Sequence, residues 1–290
     1  MRGAVRVRAA LLCAACAAGC AAALEPRTIA FSYDAPEPPS RARFGSYEQA
    51  SAAIAAAFEH DLGFPAFMAT LRLFPDARSF EAALLDVGYE PALARDTARV
   101  MAGVGGHRGV LLNESMLAPL SWPDRVALLA HELTHSLQYE LGGGRRGASD
   151  QWLREGFAEW VAMRVLVRLE TMKPADYRRV KVEQLRATSA AKAPRLDDMA
   201  TFPQLVALAA RDDIAPYAQA FLAVDLLIER HGRPAVIRYF ELFAASDDRR
   251  GNFAAAFGED LGAFEAVLRE RLWPGRSDTP IARTGSGPGR

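Results

Sequence analysis

Residues 128–144, LLAHELTHSLQYELGGG, carry two of the chain's five histidines, His131 and His135, with Glu132 directly after the first. Side chains four apart on a helix share a face, so both imidazoles can aim a nitrogen at one ion. Glu132 is turned by roughly 100° from His131. It can stand beside that ion without binding it, where a base acting on an activated water belongs. Chance spells this pattern in roughly one chain in two hundred of such composition, so the rest of the site is worth seeking.

A catalytic zinc site uses a third protein ligand and keeps one position open. The next helical segment offers WLREGFAEW, with Glu155 twenty residues after His135 and Glu159 four further on. Both carboxylates share a helix face, and a nine-residue loop, GGGRRGASD, lets this segment fold back on the first. One carboxylate can bind the ion while the other accepts a hydrogen bond from the far nitrogen of a ligand histidine.

His131-Glu132-Leu133-Thr134-His135 followed by Trp152-Leu153-Arg154-Glu155-Gly156-Phe157-Ala158-Glu159-Trp160 resembles the gluzincin metallopeptidases, the peptidase MA-like group. The specific part of the resemblance covers residues 129–160; its general extent is about 27–272. It implies an α+β, zincin-like domain holding Zn2+, with Glu155 as third ligand and Glu159 as the supporting carboxylate. It also implies a peptide or protein substrate. GVLLN, before the histidine helix, resembles the edge strand such enzymes offer to an extended substrate, although an ordinary internal strand reads the same. Tyr217, in APYAQAFLAVDLL, stands where members of the group often carry a Y-x-Q segment. Its hydroxyl can donate to charge developing on an attacked carbonyl oxygen; equally it reads as an aromatic packed at a helix start.

Other candidates are weaker. His231 precedes Gly232 at a helix end, where a histidine commonly meets terminal carbonyls. His107 and His60 read as solvated. Arg145 and Arg146 flank the site's loop, where they would attract an acidic substrate or simply face water.

The elements that must position these residues can be read in outline. A helix is expected over 44–63, with Ser46 as N-cap and Gly63 as stop. FMATLRLFP reads as a strand and SFEAALLDVG as a short helix. ARVMAGV and GVLLNES flank GGHR and suggest a hairpin. The histidine helix has Ser121 to cap it, Pro123 in its first turn and Asp124 for negative charge there. Asp150 is the expected cap of the next helix. Helices follow over 177–188, 202–210, 216–230, 234–245 and 261–272. The arrangement is a small strand-containing N-terminal part with the histidine helix and a mostly helical C-terminal part.

The chain has 290 residues, 50% hydrophobic and 24% charged, the profile of a globular protein rather than a disordered or fibrous one. Basic and acidic side chains balance at 35 each, which gives no basic surface for nucleic acid. Residues 1–23 look different: Arg2, Arg6 and Arg8 precede an uncharged alanine-rich run, the pattern of a secretory signal. Cys13, Cys16 and Cys20 all lie inside it, so the exported part has no disulfide framework. Two processing routes fit. Ala21-Ala22-Ala23 reads as a cleavage site, and Ala17-Ala18-Gly19-Cys20 resembles a bacterial lipobox lacking its usual leucine, which would anchor the protein to a membrane through lipidated Cys20. A linker and first strand occupy 24–43, with the proline-rich spacer APEPPS inside it. The peptidase-like domain is expected over 44–272 and a disordered tail over 273–290.

The expected chemistry is hydrolysis of a peptide bond by a bacterial exported enzyme, periplasmic or membrane-anchored. Zinc on His131, His135 and Glu155 would lower the pKa of a water, and Glu132 would take its proton and pass it to the leaving amine. Two other readings use the same residues: a zinc-binding exported protein with a non-catalytic role, and a zinc hydrolase acting on a cell-wall amide.

Overall fold

The computed structural model describes residues 26–34, 44–186, 188–211 and 213–275. The expected export segment with its cysteines, the APEPPS spacer and the tail beyond residue 275 lie outside the described residues.

The fold is α+β, built on a mixed sheet of four strands. They are β1 (Arg27–Phe31), β2 (Ala69–Phe74), β3 (Gly103–Gly106) and β4 (Gly109–Asn113), in the spatial order β1-β2-β4-β3. β2 runs parallel to β4, and both outer strands run antiparallel to their neighbours. β1 falls before the expected domain start at residue 44, yet it pairs with β2 along its whole length. Alternation sorts the strand residues by face. Ile29, Phe31, Leu71, Leu73, Val110 and Leu112 point into the main core, while Phe74 and Leu111 point into a smaller cluster on the other side.

Twelve helices surround this sheet among the described residues. α1 (Tyr47–Ala56) starts at Ser46, whose hydroxyl accepts from the Gln49 amide as expected; it runs through a π-helical turn, Ala57–Asp61, and stops at Gly63, held at φ 55°. α2 (Ala77–Asp86) and α3 (Pro91–Val100) cover the smaller cluster with Phe80, Leu84, Ala94 and Ala98. The main core lies between the sheet, α1, α5 (Trp122–Leu141) and α6 (Gln151–Arg168), after the short α4 (Glu114–Leu117). α7 (Pro174–Leu185), a 3-10 turn at Leu196–Met199, α8 (Phe202–Ala209), α9 (Pro216–His231), α10 (Arg233–Leu242), α11 (Arg249–Phe257) and α12 (Leu261–Leu272) complete the body. The Trp273 indole N–H donates to the Thr188 carbonyl, and its ring packs with Leu185 and Ala190, so the folded body runs past the expected tail boundary.

Three expectations change. The expected hairpin is present as β3 and β4, with its turn at His107 and Arg108, but its first arm is not all strand: residues 98–100 are the last turn of α3, and the strand is Gly103–Gly106. GVLLN is β4, an internal strand; the edge beside the histidine helix belongs to β3. Asp150 precedes α6 but makes no capping bond. Its carboxylate instead accepts from the Tyr239 hydroxyl at 2.9 Å and lies 3.3 Å from the Arg249 guanidinium, fully buried.

Candidate metal centre

α5 has two functional flanks. Val126, Leu129, Leu133 and Leu137 recur every three or four residues and bury one face in the core. His131, Glu132 and His135 lie on the flank that lines a cleft of about 690 Å³. Ser121 caps α5 through the Asp124 amide, as the sequence led us to expect. The helix stops at Leu141; Gly143 and Gly144, at φ 66° and 82°, turn the chain back, a conformation only glycine adopts without strain. α6 then packs along α5, anchored by the fully buried Trp152 and Phe157.

This return brings Glu155 to the histidines. Glu155 Oε2 is 3.0 Å from His131 Nε2, Glu155 Oε1 is 3.6 Å from His135 Nε2, and the two Nε2 atoms are 3.2 Å apart. One donor atom from each residue lies within 4.8 Å of the others. Ligand atoms about 2.0–2.1 Å from a tetrahedral ion stand roughly 3.3 Å from one another, so the donor triangle fits a divalent ion of that size. Two imidazoles and a carboxylate leave a fourth position free.

Each donor is itself held. His135 Nδ1 lies 3.0 Å from Gln138 Oε1; donating there leaves its Nε2 lone pair facing the triangle. Gln138 is fixed in turn by its Nε2, which donates to the Arg154 carbonyl at 2.9 Å. Gln151 Nε2 donates to Glu155 Oε1 at 2.5 Å. Glu159 lies 3.5 Å from His131 Nδ1 and is anchored on α7, accepting from the Tyr177 hydroxyl at 2.7 Å and from Lys181 at 2.5 Å.

Electrostatics follow from crowding charge in a buried place. Burial resists the charged form of His131, but the hydrogen bonds that its ring donates to Glu155 and Glu159 outweigh it and raise its pKa well above the usual value. Burial likewise resists ionised Glu155 and Glu159; His135 and His131 overcome it at Glu155, His131 and Lys181 at Glu159, and both carboxyls are held low. Glu132 differs. Burial pushes its carboxyl up against the pull of His131 and His135, and Glu155 adds to the rise. It is the one carboxyl of the cluster biased toward holding a proton.

β3 closes over Glu132 because three of its four residues are glycine. A Cβ at Gly105 would lie 2.3 Å from the Glu132 carbonyl oxygen and 2.8 Å from His135 Cβ; one at Gly103 would meet Glu132 Cγ at 2.9 Å. The Ser136 hydroxyl ties the same strand to α5 by donating to the Gly106 carbonyl at 2.7 Å. Gly156, inside the α6 motif, does the equivalent for α9: a Cβ there would sit 2.2 Å from the Ala220 carbonyl oxygen. α9 carries Tyr217, half-buried in the cleft wall, with no hydrogen bond on its hydroxyl among the described residues. Burial, with the charges of Glu155, Glu132 and Glu159, raises its pKa and keeps the hydroxyl protonated.

The remaining candidates separate clearly. His231 pairs with Glu259 at 2.7 Å and does not line the cleft. His107 lies 3.2 Å from Glu140 in the hairpin turn, and His60 is exposed beside Glu59. Arg145 pairs with Asp247 at 2.7 Å, whereas Arg146 lines the cleft. Arg154, the residue before Glu155, also lines it, a place its helical position alone does not reveal. Burial and the charge of Arg146 pull the Arg154 pKa down to about 10. Gln138, three residues after His135 and so on the same helix face, carried a usable signal. Gln151 and Arg154 became visible only once α6 was seen against α5.

Compared with known proteins, the chain matches no family model, no curated protein and no solved structure.

Proposed function

We propose that this protein is an exported zinc-dependent peptidase of the zincin type, with His131, His135 and Glu155 as the zinc ligands. The observation that carries the reading is the donor triangle itself: two Nε2 atoms 3.2 Å apart and a carboxylate oxygen 3.0 Å from one of them, at the floor of an open cleft. A bound zinc ion supplies the Lewis acidity that makes water a nucleophile near neutral pH. Glu132 lies beside the triangle, takes the proton from the attacking water and returns it to the leaving amine. Its upward-biased carboxyl suits a group that must do both. Tyr217 donates its free hydroxyl to the oxyanion. Gln138 and Glu159 set the histidine rings, and Gln151 sets the Glu155 carboxylate. β3 offers its unpaired edge beside the cleft, where an extended peptide can add as a further strand.

A peptide-library assay on the mature protein, with Glu132→Gln as control, tests the activity. Cleavage in the wild type that falls about a hundred- to ten-thousandfold in E132Q supports it. Equal turnover by both proteins, or none by a fully zinc-loaded wild type, rejects it.

A further inference from the structure

The cleft holds a cation without a counter-ion. Arg154 is 3% exposed, and among the described residues no carboxylate lies within ion-pairing distance of it. A guanidinium has five N–H donors. This one makes a single long hydrogen bond, 3.3 Å from Nη1 to the Ser149 hydroxyl, and lies 5.3 Å over the Tyr139 ring. The nearby acids are otherwise engaged. Glu155 is held by the histidines and Gln151, Glu140 by Arg108, and Asp150 by Tyr239 and Arg249.

A second guanidinium stands beside it. Arg146 is exposed on the same cleft wall and donates to Gln151 Oε1. Gln151 donates through its other end to Glu155, so the two arginines stand one side chain away from the donor triangle. A buried unpaired charge is expensive to keep in a fold unless something supplies its partner. Guanidinium forks match carboxylates in shape and charge, and two converging on one cleft wall make a docking point for that group.

We propose that Arg154 and Arg146 form a carboxylate-binding subsite, so that the cleft selects ligands bearing an acidic side chain or a free C-terminal carboxylate close to the bond held over the metal centre. The fate of the ligand rests on the peptidase reading; its binding does not. Arg154 presents the buried charge and Arg146 the exposed one that draws the anion in. Gln151 couples the subsite to the position of Glu155.

The test uses zinc-loaded full-length protein carrying Glu132→Gln, so that bound peptides survive, and isothermal titration calorimetry. The probes are acetylated, amidated hexapeptides with one Glu moved through the six positions, the matched Gln series, and the Gln series with a free C-terminal carboxylate. At least one carboxylate form should bind tenfold or more tighter than its amide, and which series wins identifies the source of the carboxylate. Adding Arg154→Gln or Arg146→Gln should cut that ratio below threefold. Arg146 is exposed, so its variant keeps the test decisive if the Arg154 variant misfolds. Equal affinities across the series, no binding of any carboxylate form, or a preference that survives Arg146→Gln would overturn the subsite. Cleavage without charge preference removes the subsite and leaves the peptidase. Charge preference without cleavage by Glu132-containing protein does the reverse.

Discussion

The roles of individual residues here come from what holds them as much as from what they are. His135 is aimed by Gln138, His131 by Glu159, and Glu155 by Gln151. The sequence made His131, Glu132, His135, Glu155 and Glu159 legible, because HExxH and the following glutamate pair fix two faces by helical period alone. It could not show Gln151 or Arg154 as site residues, since their partners arrive through a fold-back. Tyr217 was open between packing and catalysis, and its free hydroxyl in the cleft wall favours the second. Tyr217→Phe should lower kcat about a hundred- to thousandfold with KM little changed, the usual loss of an oxyanion donor; an unchanged kcat would return it to packing. Asp150 makes a prediction of a different kind. Burial raises its pKa to about 6 against the pull of Arg249 and Tyr239. The folded state therefore holds a proton that the unfolded state releases near pH 4, and the stability this residue contributes at low pH is lost as pH rises through about 6. Between pH 5 and 7 the wild type should lose about 1.4 kcal/mol relative to Asp150→Asn, read from urea denaturation at the two values. Parallel pH profiles for the two proteins would show that Asp150 is ionised throughout.

Among the elements, three close approaches build the cleft: α5 to α6, β3 to α5, and α9 to α6. Glycines permit the second and third. Gly156 is the clearest case, because the atom a methyl group would strike is the Ala220 backbone oxygen, which no rotamer change can move aside. Gly156→Ala should therefore cost at least about 2 kcal/mol by overpacking. It should also impair turnover beyond that loss, since α9 carries Tyr217. A variant as stable and as active as the wild type would refute the tight α6–α9 contact. The long helices were legible because their apolar residues recur at helical spacing between good caps; α12 falls on its expected bounds. α3 and α11 were not. PALARDTARV buries only two alanines and a threonine, a face of small residues, and RRGNFAAAF carries an internal glycine. Tertiary packing makes both helices. The hairpin itself was legible, but its first arm was placed too early because Gly105 and Gly106 seemed to mark the turn, when their place is a strand pressed against α5.

At the scale of the whole molecule, one core joins the sheet, α1, α5, α6, α9 and α10, so the two helices that carry the donor triangle are part of the most buried structure. The expected export signal and lipobox lie outside the described residues, and no described helix is long and apolar enough to cross a membrane. Rigid framing of the donor triangle means metal binding should act on the entire fold: an ion bound only by the folded state stabilises it by about 2.7 kcal/mol at a hundredfold excess over its Kd. Whether the triangle holds an ion is read most directly from the zinc content of the purified full-length chain after dialysis against zinc and gel filtration. About one zinc per chain is predicted for the wild type, with loss of that zinc in a folded Glu155→Ala protein. A folded wild type that emerges without zinc, or a Glu155→Ala protein that keeps it, would contradict the account.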